Sequence, residues 1–354
     1  FGDSGDTFTV PSGATITNNG TATGFGGNTD PFRNRIINGN MSVDQRNETA
    51  TINGTGVTYN VDRFLGRGVS SAGVFTLVRT AVAPTNFYRS LAATVTTADS
   101  SIASSSSYRV QQFIEGYNIS DLNWGTSDAQ SVTLSFYVRS SVTGTFGGNL
   151  ANGDFDRFNV FSYTINSANT WERKTITISG DTSGNWNTGN SIGIRLNFSL
   201  GAGSTLLGSA GSWGSSTKEG VTGQTNLIAT NNATWYITGV QLEVGTSATD
   251  FAFVPFDVNL QRCQRYYYEY QLGYLGGYSR RAGTGAAFSA LEDATHPVQM
   301  RASPTITAGT PTYINASSLS FTASSHGFVA RVTSSSSSGY YRAYETDVEV
   351  NAEL

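Results

Sequence analysis

Apolar and polar positions alternate with a period of two through most of the middle of the chain. Val132, Leu134, Phe136 and Val138 share one side of one segment, and Ile192, Ile194, Leu196 and Phe198 share one side of another. This is the pattern of strands that turn one face to a core. The same reading predicts strands over 73–80, 108–114, 132–139, 158–165, 171–179, 191–199 and 235–244. Turn-forming clusters such as Ala151-Asn152-Gly153 and Gly180-Asp181-Thr182-Ser183-Gly184 separate them. Many short strands at this spacing predict a two-sheet jelly-roll sandwich. Within 235–244 the register breaks at Gly239, which predicts a bulge.

A helical period is confined to 257–265, where Asp257 reads as an N-cap and Val258, Leu260 and Cys263 share a face. Strands follow over 266–275, 277–291, 298–307, 318–322, 328–333 and 340–351, with a serine hairpin loop at 334–338. The first 30 residues hold only two very short alternating runs around Pro11-Ser12-Gly13. Such a segment buries little by itself and reads as a short stalk ordered by other protomers, or as a linker. The expected organisation is therefore all-β: a stalk or linker over 1–30, a jelly-roll over 31–256 and a smaller β-sandwich tip over 257–354.

The chain has 354 residues, of which 13% are charged and 40 are glycine, with a net charge of −4. Hydroxyls and amides solvate it more than charge does. Without clustered Lys and Arg, a nucleic-acid partner is excluded. No apolar run approaches the roughly 18 residues a membrane-spanning helix needs, so membrane insertion is not expected. The single cysteine, Cys263, cannot form an intrachain disulfide and reads as a buried thiol.

Three sets of residues carry a resemblance. The first is Val240-Gln241-Leu242-Glu243-Val244-Gly245, followed by Ala248-Thr249-Asp250-Phe251, Pro255-Phe256-Asp257 and Leu260-Gln261-Arg262-Cys263-Gln264-Arg265-Tyr266-Tyr267. The second is Arg35-Ile36-Ile37-Asn38-Gly39-Asn40-Met41 with Val61-Asp62-Arg63-Phe64, and the third is Pro297-Val298-Gln299-Met300-Arg301-Ala302-Ser303-Pro304-Thr305. In this order they resemble phage tail-fibre and virion receptor-binding proteins, over roughly residues 33–354. The resemblance implies a jelly-roll similar to carbohydrate-binding modules, a distal tip and a homotrimer in the phage tail. It also implies a host-surface glycan and other virion tail proteins as partners, and no catalytic role. A virion connector is the structural alternative, and a polysaccharide depolymerase ranks third.

Gly2-Asp3-Ser4-Gly5-Asp6 is like the nucleophile motif of trypsin-like proteases, but the only histidines, His296 and His326, follow it, so it reads as a turn. Asp154 and Asp156 are the closest carboxylate pair and read as solvated loop acids. Glu292 and Asp293 would point apart in a strand. Two distant histidines and one cysteine make no zinc set, and Glu243 alone makes no calcium clamp, so no metal or other cofactor is expected.

Aromatic residues offer the best candidate site. Trp171 and Trp235 read as core, and Trp124 closes a turn before a strand. Trp186 and Trp213 lie in Gly/Asn/Ser loops, where exposed rings would stack on sugars while Asn185, Asn187 and Ser212 bond hydroxyls. For either ring taken alone, the preferred reading is that it folds back over the sandwich or into a protomer interface. Tyr340, Tyr341 and Tyr344 form a second candidate at the tip, although tyrosine is equally at home in strands.

Overall fold

The computed structural model describes residues 31–279, 289–335 and 339–354; the expected stalk over 1–30, with its Gly2–Asp6 run, lies outside them. Nine strands come first: β1 (Ala50–Tyr59), β2 (Phe64–Thr80), β3 (Ser90–Thr97), β4 (Ser107–Glu115), β5 (Val132–Ser140), β6 (Gly144–Asn152), β7 (Phe158–Ile165), β8 (Glu172–Ile178) and β9 (Ile192–Ala202). Three two-residue strands follow on one excursion, β10 (Leu207–Gly208), β11 (Trp213–Gly214) and β12 (Gly220–Val221), before the long β13 (Thr234–Val244). The strand order β11-β7-β6-β9-β4-β2-β3-β13-β5-β8, with β1 on β2, makes one curled sheet.

The curl is made by β2. Its first part, Phe64–Gly68, pairs with β4, and its last part, Val74–Thr80, pairs with β3. It therefore runs through both layers of the jelly-roll sandwich. Between the layers Phe198 meets Phe136 at 5.1 Å and Trp235 at 5.7 Å, and the Trp235 indole donates to the Tyr163 hydroxyl at 3.1 Å. Leu134, Phe136, Val138, Leu196 and Phe198 are fully buried, as their alternation requires. The bulge falls where expected: the β13–β5 register shifts between Thr238 and Gln241, and Gly239 takes a φ of 61° that strains other residues. Trp171 departs from expectation, lying half-buried against Tyr236 outside the core.

The helix α1 spans Phe256–Gln264. Its N-cap is Pro255, not Asp257, whose carboxylate sits in the first turn without a capping bond. Beyond it come β14 (Tyr267–Ser279), β15 (Ser289–Thr295), β16 (Thr305–Ala308), β17 (Thr312–Ile314), β18 (Ala316–Ala323), β19 (Gly327–Ser334) and β20 (Gly339–Asn351). They form the sheets β14-β20-β16, with β17 on β20, and β15-β19-β18. Tyr268, Leu272, Val348 and Val350 from the first pack with Phe328, Ala330 and Val332 from the second in an apolar cluster of their own.

Candidate functional site

The two loops proposed for sugar stacking do lie together, but their rings face each other. Trp124, Trp186 and Trp213 form a mutual edge-to-face triad with centroids 4.6, 5.3 and 5.3 Å apart. Trp186 is only 7% exposed, and Trp213 is half-buried in the two-residue β11, opposite Asn159. Each indole N–H has a carbonyl: Ser183 for Trp186, Ser179 for Trp213 and Gln130 for Trp124. With ring edges and N–H groups both satisfied, these indoles close the end of the sandwich. The exposed stacking face expected for Trp186 is absent, and Trp213 is half-buried against the same rings, as the fold-back reading describes.

The neighbouring polar residues are partly spent on the same closure. Asn185 is exposed and donates to Asp154 at 2.9 Å, while the Asn187 side chain accepts from the Gly189 amide at 2.7 Å. Ser212 is exposed. At the tip, Tyr340 is 41% exposed but Tyr341 is buried at 5%, so they do not share a surface. The Tyr344 side chain lies outside the described part of the structure. Asp156 braces Asn152 at 2.6 Å, and Glu292 accepts from Tyr270 at 2.6 Å. Glu243 is held by Thr249, Gln241 and Arg33.

Several residues that carry the resemblance meet at one place, the joint between jelly-roll and tip. Asn34 bonds both Val240 and Leu242 across the β13 bulge. Asn38 and Asn259 of α1 exchange hydrogen bonds, each at 3.2 Å, and Asn38 also donates to the carbonyls of Val43 and Asp62. Arg63 pairs with Glu353 and lies over the Tyr266 ring, 3.5 Å from its centroid. Arg301 donates to the carbonyls of Ala352, Glu353 and Asn190. Beneath this network Ile37, Val43, Cys263 and Tyr266 form a small apolar cluster. Burial pushes the Tyr266 phenol up to about 12 against the opposing pull of Arg63, and pushes the Cys263 thiol well above its ordinary range.

Beside the joint lies an open groove of about 810 Å³. Tyr117 and Asn190 form its jelly-roll wall; Gln299, Arg301, Ser303 and Ser324 form the facing wall from the tip. Tyr117 is 62% exposed and stands on the one-turn segment Gly116–Asn118 that follows β4. Its amide is tied to Gly189 at 2.8 Å, and Gly116 allows the approach because a Cβ there would overlap the Asn187 carbonyl. The exposed Tyr117 ring can stack on a sugar ring. The Arg301 guanidinium, the Asn190 amide and the Ser303 and Ser324 hydroxyls that line the groove already donate to carbonyls and offer a ligand only their remaining lone pairs or edges. Sequence reading missed this site. Its walls are far apart in the chain, and the only local signal was Tyr117 between Gly116 and Asn118 just past a strand.

No known family profile matches the chain, and no curated protein matches it. Among solved structures it is similar to the enzymatically active domain of tailspike protein 4 of bacteriophage CBA120, at 13% identity and a TM-score of 0.30, over 61% of this chain and 22% of that one. It is also similar to a putative sugar-binding protein from Bacteroides thetaiotaomicron, at 11% identity and a TM-score of 0.35, over 60% of this chain and 100% of that one. A family 4 carbohydrate-binding module gives 14% identity and a TM-score of 0.28, over 59% and 98%. At these TM-scores the likenesses carry no argument; the jelly-roll assignment rests on the strand order itself.

Proposed function

We propose that this chain is a non-catalytic attachment module of a phage tail fibre, which binds host-surface glycan through the groove between jelly-roll and tip. The observation that carries this reading is the convergence at the joint. Asn38, Arg63, Arg265 and Arg301 come from the separate motifs that resemble tail-fibre proteins, and each bonds across the joint between the two units. Motif residues used for that purpose belong to a shared architecture more than to a shared reaction. The closest carboxylates, Asp154 and Asp156, brace neighbouring amides, in keeping with a binding role.

In this reading the protein works as a homotrimer in the virion, and repeated copies offset weak single sites, since multivalency raises avidity by roughly 10²–10⁴. A connector role is the second reading. It is favoured by an aromatic surface in which Phe87 contacts Phe251 and Phe253, with Phe253 50% and Phe256 60% exposed. Adsorption of the purified chain to host cells and to their extracted surface glycan separates the two, with Tyr117→Ala as the diagnostic variant. Attachment predicts saturable binding that falls roughly tenfold in the variant, at unchanged melting temperature. Binding to tail proteins alone would favour the connector, and shortened saccharides in the glycan arm would show an enzyme.

A further inference from the structure

The joint carries a second open hollow, of about 360 Å³, which adjoins the Tyr117 groove at Arg301, a residue that lines both. Asp154, Asn187, Ser191 and Ile192 form its jelly-roll wall. At the boundary Arg301 Nη1 donates to the Asn190 carbonyl at 2.8 Å, and Asn190 Nδ2 donates back to the Arg301 carbonyl at 3.1 Å. Asn190 and Ser191 are consecutive in the chain, both exposed, and line one hollow each. A ligand running from one hollow to the other therefore crosses a solvent-facing clasp. Each hollow falls within the roughly 300–1,000 Å³ typical of small-ligand sites.

The turn between β6 and β7 holds Asp154 in this wall. Asn152 Oδ1 accepts from the amides of Asp156 and Arg157 at 3.0 and 3.1 Å, and Arg195 donates to the Gly153 carbonyl at 2.9 Å while lying 5.3 Å from the Phe155 ring centroid. Gly153 lets the turn rest on the start of β9, since a Cβ there would come within 2.1 Å of the Ile192 carbonyl oxygen. Phe155 takes a φ of 61°, a left-handed conformation that a bulky residue adopts only where its surroundings impose it. Asp154 itself is exposed, and its Oδ2 accepts from Asn185 at 2.9 Å while Oδ1 has no hydrogen bond among the described residues. Asn187 spends its Oδ1 on the Gly189 amide, which leaves its Nδ2 donors unengaged among the described residues, as is the exposed Ser191 hydroxyl. The second hollow thus presents an acceptor, a donor and a hydroxyl that the fold has not used.

We infer that this hollow is a second sugar subsite and that the joint takes an internal stretch of a linear glycan, with one unit on Tyr117 and a later, uncharged unit whose hydroxyls bond Asp154, Asn187 and Ser191. A carboxylate oxygen accepts strongly from sugar hydroxyls and repels an acidic sugar, which sets the charge of that unit. Arg301 and Asn190 spend bonds on each other and act as a spacer between the two units. Because the turn is fixed before binding, little ordering of the wall opposes capture. The inference rests on the reading of the Tyr117 groove as a glycan site, and it adds the length and charge of the glycan segment.

The test is calorimetric titration of the whole chain with fragments of host-surface glycan, cut by partial hydrolysis and graded by length. Wild-type affinity should rise at least roughly tenfold from the shortest fragment that binds to the length that fills both hollows, and then level off. Asp154→Ala should bind the shortest fragment as wild type does and lose the gain with length. Ser191→Phe, which fills the second hollow and leaves the Asp154 turn intact, should do the same. Tyr117→Ala should weaken every fragment by roughly tenfold. The gain with length should be equal at roughly 0.05 and 0.5 M salt, since no ion pair supplies it. Affinity independent of length, or a gain that survives in either second-hollow variant, would overturn the subsite while binding that needs Tyr117 leaves the attachment reading intact. A gain that falls with salt would overturn the uncharged unit, and absence of binding by every fragment and by the intact glycan would overturn both readings.

Discussion

Arg265 grips Glu115 with two nitrogens, Nε at 2.9 Å from one carboxylate oxygen and Nη2 at 2.6 Å from the other, and the adjacent Tyr266 donates its hydroxyl to the same carboxylate at 2.6 Å. Glu115 ends β4 of the jelly-roll and is almost fully buried; Arg265 and Tyr266 open the tip. The joint is thus held by a charge that cannot return to water without separating the units. Glu115→Gln should cost about 3 kcal/mol, because it leaves a partly buried guanidinium unmatched. Differential scanning calorimetry checks it: the single transition expected of wild type should split or fall, and an unchanged trace would mean the pair is dispensable.

Trp186→Ala should be a stability mutation. Removing the ring opens the triad with Trp124 and Trp213, a loss of about 3 kcal/mol. Glycan binding per folded molecule should stay at the wild-type level, measured beside urea unfolding. Lost binding with unchanged unfolding would restore the ring to the ligand site.

Cys263 should resist thiol reagents in the native protein. It is fully buried between α1 and the jelly-roll, and burial raises its pKa so that little thiolate forms. Labelling followed by mass spectrometry should show modification only in denaturant. Modification within minutes of mixing with native protein would contradict this packing.

Glu172 gives a pH signature. Desolvation raises its pKa, but Lys174, the Ser167 and Asn166 amides and the Asn166 side chain outweigh it and hold the carboxylate down to about 2. A folded-state pKa below the unfolded value contributes stability above the unfolded pKa, and that contribution is lost as pH falls through the folded one. Wild type should therefore out-melt Glu172→Gln at pH ~6, with the gap closing between pH ~4.5 and ~2. A gap that stays constant across that window would exclude this carboxylate as its source.

How far the sequence could be read depended on whether burial came from the residue's own strand or from elsewhere. Period-two segments such as 132–140 and 192–202 announced both their strands and their inward faces, because one side of each meets the core. Gly239 announced its bulge for the same local reason. Trp186 stayed ambiguous because a Gly/Asn loop looks solvated until its ring finds Trp124 and its N–H finds Ser183. Arg109, Gln111 and Asn197 hold the polar positions of alternating strands and are nevertheless buried; part of their cover comes from Glu219, 110 residues beyond Arg109, and no periodicity encodes it. Tyr117 escaped notice because its groove has no wall until the tip is docked.

The tip meets the jelly-roll at one end of its central strand pair, β14 and β20. β14 leaves the joint at Tyr267, and its twelve-pair partner β20 returns there at Asn351, opposite Tyr267, with Glu353 fastened to Arg63. The two units are therefore joined by two tethers of different kind, the continuous backbone through α1 and the ion pair at Glu353, and loss of the second would leave the tip hinged on the first.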